Sequence, residues 1–519
     1  MHIINPTKNF YIKKMKFKSF SAILFINLIY INTLNASIFK NIEIEDKTLE
    51  NNKNYVKKEN YSDTKRDNSI IVNIDNLKEL LIKNNKDLSK YKSQIIQSEA
   101  ILKTKVASWY PKVTVSSNEL PKYIIGNDKK STGNNTSSEQ LSLSLDANIE
   151  WDIIKPKRRL EIKIARDQLN NNKLLYRSSI EELYLESLKI YYSIQASFEE
   201  IKVANKSIEI SKIALKEATE KLKSGIGNKL ELLEAEIQLN RDEIDLINKL
   251  GNLRKNKNSL SEILNIDEEI IIQKENVKNI DWIWTHNLED SLLSAYQNRL
   301  DLRIKEKNII INRNKSLSTL SGKKPSFKIY NNYSISTTNG ETGVSSNPDY
   351  SKNTKSNLNS VGIKFSWNIF DGGLIKQNYI SLKEKSNELE EDLLQSKIEI
   401  KKELLDSIVN LEIAKKNIIL SFDQLKSAKE TLAISLKRME AGLSTQREVV
   451  NVQADVAEAE SNFINSITTY NKTLVKLERI SLLKKSDICS IKNYINDSNN
   501  EFYEFIIENK LNDSCKNII

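Results

Sequence analysis

From Leu141 to Asp152 the chain alternates without a break. Leu141, Leu143, Leu145, Ala147, Ile149 and Trp151 take the odd positions, and Ser142, Ser144, Asp146, Asn148, Glu150 and Asp152 the even ones. A period of two over this length predicts a β-strand with one apolar and one polar face. The pattern returns at Val361, Ile363, Phe365, Trp367 and Ile369, set against Gly362, Lys364, Ser366 and Asn368. Partner strands are expected to start at prolines, with Val113 and Val115 after Pro111, and Phe327, Ile329, Tyr333 and Ile335 after Pro325. The segments between the members of each pair, 116–140 and 337–357, read as polar loops.

A different period governs the rest. Leu404, Ile408, Leu411, Lys415, Ile418, Phe422, Leu425, Lys429, Leu432, Leu436 and Met439 follow alternating steps of four and three. Nine of these eleven are apolar, which makes them a heptad seam. After Gly442 the spacing resumes at Val449, Val452, Val456, Ala459, Phe463, Ile467, Tyr470, Leu474 and Leu477. Two antiparallel helices hinged at the glycine would lay the two seams together.

These patterns occur twice. Asp87–Leu88 match Asp301–Leu302, and Pro111 matches Pro325, at an offset of 214; Trp151 matches Trp367 at 216, and Gly225 matches Gly442 at 217. Landmarks in one order at a nearly constant offset indicate a duplication. Repeat 1 is read over 71–283, with strands at about 109–117 and 140–152, a long helix at about 157–224, a tip turn at 225–228 and a return helix at 229–265. Repeat 2 is read over 284–480, with strands at about 325–337 and 359–370, a long helix at about 375–440, a tip turn at 441–445 and a return helix at 446–480. Residues 37–70 read as a polar linker and 481–519 as a polar C-terminal tail. A helix of 64 or more residues is about 95 Å long, so an elongated subunit is expected.

Composition agrees with this division. The 519 residues include only 12 Gly and 6 Pro, which excludes collagen-like and turn-dense all-β chains. Apart from Pro6, every proline lies in 111–156 or 325–348, leaving two Pro-free stretches in which very long helices can form. The net charge of +10 is partly owed to the leader. Residues 13–37 carry a basic segment, an apolar run from Phe20 to Ile31 and small residues at Ala36 and Ser37, the layout of a secretory signal peptide over residues 1–36; Met15 is an alternative start. Without them 74 bases face 69 acids, a poor nucleic-acid footprint. Cys489 and Cys515 could pair after export or remain free thiols.

Four strands of nine or more residues in an exported chain fit membrane-spanning β-strands. Four cannot close into a barrel, and an open edge is not tolerated in lipid, so the chain must share a barrel with its own copies: two would supply 8 strands, three 12. The polar face would then line the lumen, and Trp151 and Trp367 would sit at the bilayer interface. The competing arrangement, a soluble sheet packed on helices, has no helix left over to cover it.

Taken with ASWYPKVTVS, SGKKPSFKIY, VGIKFSWNIFDGG, NRLDLR, LELLEAEIQL and REVVNVQADV in this order, residues 71–480 resemble the TolC family of outer-membrane efflux proteins. The resemblance implies a mostly α fold with transmembrane β. It implies a homotrimer whose 12-stranded β-barrel sits in outer-membrane lipid and is continued by an α-helical barrel through the periplasm. It also implies partners: a periplasmic adaptor (membrane fusion) protein and an inner-membrane pump of RND or ABC type. On this reading the protein is a passive exit duct for small-molecule efflux, type I protein secretion, or both.

The same resemblance carries site residues. The triplets Ser224–Gly225–Ile226 and Ala441–Gly442–Leu443 would contact the adaptor, and Glu231, Glu448 and Asn451 would form the gate at the tunnel tip. Relatives often carry Asp where Asn451 stands, and an aromatic where Met439 stands, which weakens the expected lock. Beyond the leader the chain holds a single histidine, His286, and no phosphate-binding loop, so no enzyme, cofactor or metal is expected. Two other classes compete: a non-pore periplasmic coiled-coil adaptor, and a structural coiled-coil protein. An adaptor would have one hairpin flanked by lipoyl-like modules, where this chain has two hairpins and two strand pairs.

Overall fold

The computed structural model describes residues 69–129, 135–272, 280, 282–344, 353–487, 497–509 and 511, all within one compact unit, Lys65–Ile519. The signal-peptide reading, most of the 37–70 linker, and Cys489 and Cys515 lie outside these residues.

Repeat 1 opens with β1 (Ser69–Val72), α1 (Ile74–Asn84) and α2 (Lys86–Ala107). It continues through β2 (Lys112–Ser116), β3 (Lys122–Lys129) and β4 (Asn135–Ile154) into α3 (Arg158–Lys223), α4 (Lys229–Leu264) and β5 (Glu269–Ile272). Repeat 2 follows as β6 (Trp282–Ile283), α5 (Leu288–Asn298), α6 (Leu300–Leu320), β7 (Ser326–Val344), β8 (Thr354–Ser366), α7 (Leu374–Glu440) and α8 (Gln446–Ser481). β9 (Ser486–Asp487) and α9 (Asp497–Glu508) end the described chain.

The duplication extends to backbone and side chains. Asn85 and Arg299, counterparts at offset 214, are the N-caps of α2 and α6 with ψ of 127° and 128°. In repeat 1 the Asn85 amide oxygen accepts from the Leu88 N–H at 2.9 Å. In repeat 2 the half-buried Arg299 instead pairs with Asp301 at 2.7 Å and Glu403 at 3.4 Å. Burial pushes the Asp301 carboxyl upward, but the hydrogen bond and charge of Arg299 outweigh it and hold the group below its usual range. Farther up, Asn172 donates to Ser98 at 3.0 Å across α2 and α3, while Asn312 donates to Ser386 at 3.0 Å across α6 and α7. The same two residue types, 74 positions apart in both cases, have exchanged helices.

β2, β4, β7 and β8 form one antiparallel sheet in that order, with β3 extending the β2 edge along β4. β4, β7 and β8 run well past the alternating cores, whereas β2, Lys112–Ser116, is shorter than the nine residues expected at 109–117. β3 and the start of β4 occupy most of 116–140, and β7 and β8 run to Val344 and from Thr354, where polar loops are expected. Ladder hydrogen bonds need no apolar side chain, so polar strand ends are invisible to a hydropathy pattern. β8 in turn stops at Ser366, short of Ile369. Most of the apolar row of the sheet is exposed, with Ile363 at 71%, and Phe327 and Ile329 are half-buried; the row is not packed under helices as the soluble alternative requires.

Two cores lie where the helices cross the short strands. One joins Leu77, Leu88, Tyr191 and Leu260 beneath the parallel pair β1 and β5. The other joins Leu411, Phe463 and Tyr470 of α7 and α8 to Phe502 and Ile506 of α9. The 481–519 segment is therefore not only a polar tail: Phe502 stacks at 5.4 Å from Tyr470 and Phe505 at 5.4 Å from Phe422. The short apolar set FYEFII, six residues of which five are apolar or aromatic, is too brief to stand out from its Asn- and Asp-rich surroundings.

Candidate functional site

At the far end from the sheet each long helix reverses. Gly225 and Gly442 have φ of 75° and 72°, a left-handed conformation that favours glycine. In the first turn the Gly225 N–H donates to the Leu222 carbonyl at 3.2 Å and the Ile226 N–H to the Lys221 carbonyl at 3.1 Å. In the second the Gly442 N–H donates to Met439 at 3.0 Å and the Leu443 N–H to Arg438 at 2.8 Å. Both turns are thus Schellman motifs. The next helices are capped by Asn228, whose side chain accepts from the Leu230 N–H at 3.0 Å, and by Thr445, which accepts from Glu448 at 3.3 Å. Two five-residue turns with the same hydrogen-bond plan close the two hairpins.

The apolar residue after each glycine departs from the usual motif. It commonly packs back on the helix it has left, but here the positions it would cover are Lys221 and Arg438. Ile226 is 85% exposed and Leu443 72%. Ser224 and Ala441 are exposed beside them. Each of the two triplets therefore presents one large apolar side chain to the surroundings.

Glu231 lies exposed in the first turn of α4, and Glu448 half-buried in the first turn of α8, 217 positions on. The Glu448 carboxylate is 3.5 Å from the Arg438 guanidinium, an ion pair that spans the turn. Asn451 is exposed, three residues beyond Glu448 and on the same helix face. The hairpins are joined to each other close by, where Arg447 of α8 lies 3.3 Å from Glu234 of α4. The two arginine partners are not evident from sequence, because Lys and Arg are spread over every polar helix face. Only the N-cap residue types Asn228 and Thr445 carry a local signal.

At the opposite end, the strands hand over to the long helices. Trp151 lies three residues before the end of β4 and Trp367 one residue after β8; both are exposed. Arg158, 1% exposed, opens α3 with its guanidinium 4.3 Å from the Trp109 ring centre, and donates to the carbonyl oxygens of Ile153 at 3.4 Å and of Asp152. Repeat 2 turns here by other means. Gly372 and Gly373 have φ of 64° and 90°, and the Asp371 carboxylate accepts from the N–H groups of Ile375 at 3.0 Å and Gly373 at 2.9 Å. Those backbone hydrogen bonds hold the Asp371 carboxyl below its usual range.

A duplicated unit of strand pair, long helical hairpin and glycine tip, with its apolar strand face exposed, defines the class of outer-membrane channel subunits. The chain belongs to the outer membrane efflux protein family, whose model matches residues 77–265 and 294–481, once for each repeat. The family and its structural neighbours are channels, not enzymes. The fold is similar to that of CusC, with a TM-score of 0.65 at 16% identity over 78% of this chain and 91% of that one. The Campylobacter jejuni outer membrane channel CmeC gives 0.65 at 16% identity, over 78% of this chain and 85% of that one. The open state of the Neisseria gonorrhoeae outer membrane channel MtrE gives 0.61 at 13% identity, over 78% and 88%. No curated protein sequence matches significantly.

Proposed function

We propose that three copies of this chain share a 12-stranded outer-membrane β-barrel, continued by an α-helical barrel through the periplasm, and that the assembly is a passive exit duct. Cargo would be small molecules, type I secretion substrates, or both, driven by an inner-membrane pump acting through a periplasmic adaptor. The observation that carries this reading is the antiparallel sheet, five strands arranged four across: an apolar face left largely exposed, a polar opposite face and two open edges, joined directly to helices about 100 Å long. A non-pore adaptor or a structural coiled coil has no use for such a sheet.

Within that duct Trp151 and Trp367 sit at the inner bilayer interface. Glu231, Glu448 and Asn451 line the tip, and the exposed Ile226 and Leu443 with their neighbours in the two triplets receive the adaptor. A ring of carboxylates favours cations, so Glu448→Gln is expected to lower cation selectivity in single-channel recordings; an unchanged selectivity removes Glu448 from the gate. The whole reading is tested by purifying the protein from outer membranes and measuring subunit number and bilayer conductance. Three subunits and discrete conductance steps are expected, whereas a soluble monomer without conductance rejects it.

A further inference from the structure

The net positive charge of the chain is concentrated at one end of the sheet. Four connectors join the strands to the helices: 108–111, 155–157, 321–325 and 367–373. Taken with two residues on either side, they hold seven bases and one acid, Asp371. Over the rest of residues 37–519, 67 bases face 68 acids. Beyond the leader the whole excess of positive charge therefore lies where strands become helices.

Three of these bases come together on the side of the exposed apolar row. Trp367 continues that row beyond Val361, Ile363 and Phe365, and its indole N–H donates to the Lys323 carbonyl oxygen at 3.0 Å. Lys323 and Lys324 are both exposed. The half-buried Lys157 reaches the same place from the end of β4. A Cβ on Gly322 would lie 3.0 Å from the Lys157 Cε and 3.2 Å from its Nζ, so it is the missing side chain at 322 that lets the ammonium lie against this turn.

Other cations at this junction are compensated: Lys328 lies 2.8 Å from Glu150, and Lys155 3.8 Å from Asp152. Among the described residues Lys157, Lys323 and Lys324 form no ion pair. Asp371 feels the charge of Lys323, but its two oxygens accept from the N–H groups of Gly373 and Ile375. The cluster is not imposed by the repeat either, since the counterparts of Lys323 and Lys324 at offset 214 are Trp109 and Tyr110.

We infer that Lys157, Lys323 and Lys324 bind the phosphate of an anionic phospholipid in the periplasmic leaflet, with its acyl chains along Trp367 and Phe365. The inference rests on the membrane placement proposed above and adds a headgroup preference to it. Depth selects the occupant, because the tryptophan beside the cluster marks headgroup level at the end of the sheet from which the long helices leave. Charge selects the sign, because each lysine near a bilayer surface adds to the attraction for acidic lipid. Ile369 and Phe370, 79% and 87% exposed on the connector itself, offer apolar contact at the same level. One chain supplies every group, so the site does not depend on the number of copies.

The test is quenching of tryptophan fluorescence by brominated lipids, with the full-length protein reconstituted in vesicles of phosphatidylcholine or of equal parts phosphatidylcholine and phosphatidylglycerol. At low salt brominated phosphatidylglycerol is expected to bind at least about fivefold more strongly than brominated phosphatidylcholine. The preference should shrink in about 1 M salt. Lys157→Gln, Lys323→Gln and Lys324→Gln combined are expected to bring the two lipids to parity, while the three arginine replacements keep the preference. Glutamine at Lys212, Lys216 and Lys223, exposed on α3 toward the tip, should leave it unchanged. A preference that survives the three glutamines at 157, 323 and 324 overturns the assignment. Equal binding of both lipids by parent protein that has inserted overturns the site alone. Protein that inserts into neither vesicle overturns the site and the membrane reading together.

Discussion

The indole N–H of Trp151 donates to the backbone carbonyl oxygen of Trp109 at 2.9 Å, and the indole N–H of Trp367 donates to that of Lys323 at 3.0 Å. Each bond ties the lower end of a descending strand to the start of the neighbouring ascending one. Both repeats therefore lock the strand pair at its helical end with the same side chain. Replacing either tryptophan by phenylalanine keeps most of the ring and removes the donor. We expect a loss of about 1 kcal/mol for each, read as a lower thermal midpoint of the detergent-solubilised protein.

Arg158 holds only the repeat 1 junction. Arg158→Ala removes two hydrogen bonds and a guanidinium–indole stack, each worth about 1 kcal/mol, so about 3 kcal/mol is expected. Arg158→Lys keeps the charge without the planar stack and should fall between. Chemical denaturation of the three proteins orders them; an unchanged Arg158→Ala midpoint would show that the stack contributes nothing.

The tip glycines separate backbone strain from crowding. A Cβ on Gly225 or Gly442 meets nothing within 4 Å, so Gly→Ala there costs only the left-handed conformation, about 1 kcal/mol. Asn should be better tolerated than Val. A Cβ on Gly227 would lie 2.7 Å from the Leu222 nitrogen, so Gly227→Ala must move the turn. Normal adaptor cross-linking and efflux by a bulky Gly225 or Gly442 variant would argue against the proposed adaptor contact.

Arg447 and Glu234 join the two hairpins at an exposed site, where such a pair is worth about 0.5 kcal/mol. If it holds the tip closed, Arg447→Ala should raise open probability about twofold for each pair lost. The difference should vanish in 1 M salt, where screening acts over about 3 Å.

Glu478 provides a pH dependence. Burial raises its carboxyl above the ordinary 4.5, while Lys485 and Lys484 draw it back. Because the folded protein then holds this proton more tightly than the unfolded chain, stability increases as pH falls through the raised value and levels off below 4.5. Glu478→Gln should be more stable than the parent at neutral pH and lose that advantage in acid. A parallel pair of melting curves across this range would show that the group is not linked to folding.

Legibility followed the kind of interaction. The alternation at 141–152, the heptads around Leu411 and Tyr470 and the paired glycines are local periods, and a period is a property of sequence. By themselves they determined the strands, the long hairpins, the duplication and the tip turns. The polar strand ends, the docking of Phe502 and Ile506 onto α7 and α8, the stacking of Arg158 on Trp109 and the Arg447–Glu234 link were decided only by tertiary structure. Each joins residues far apart in the chain, or rests on backbone hydrogen bonds that no side-chain pattern encodes. The burial of Ala196 and Val203 against the exposure of Ile413 and Leu420 belongs to the same class. Two copies of one pattern became different surfaces because the first packs on the rest of its own chain, while the second has no such neighbour within it.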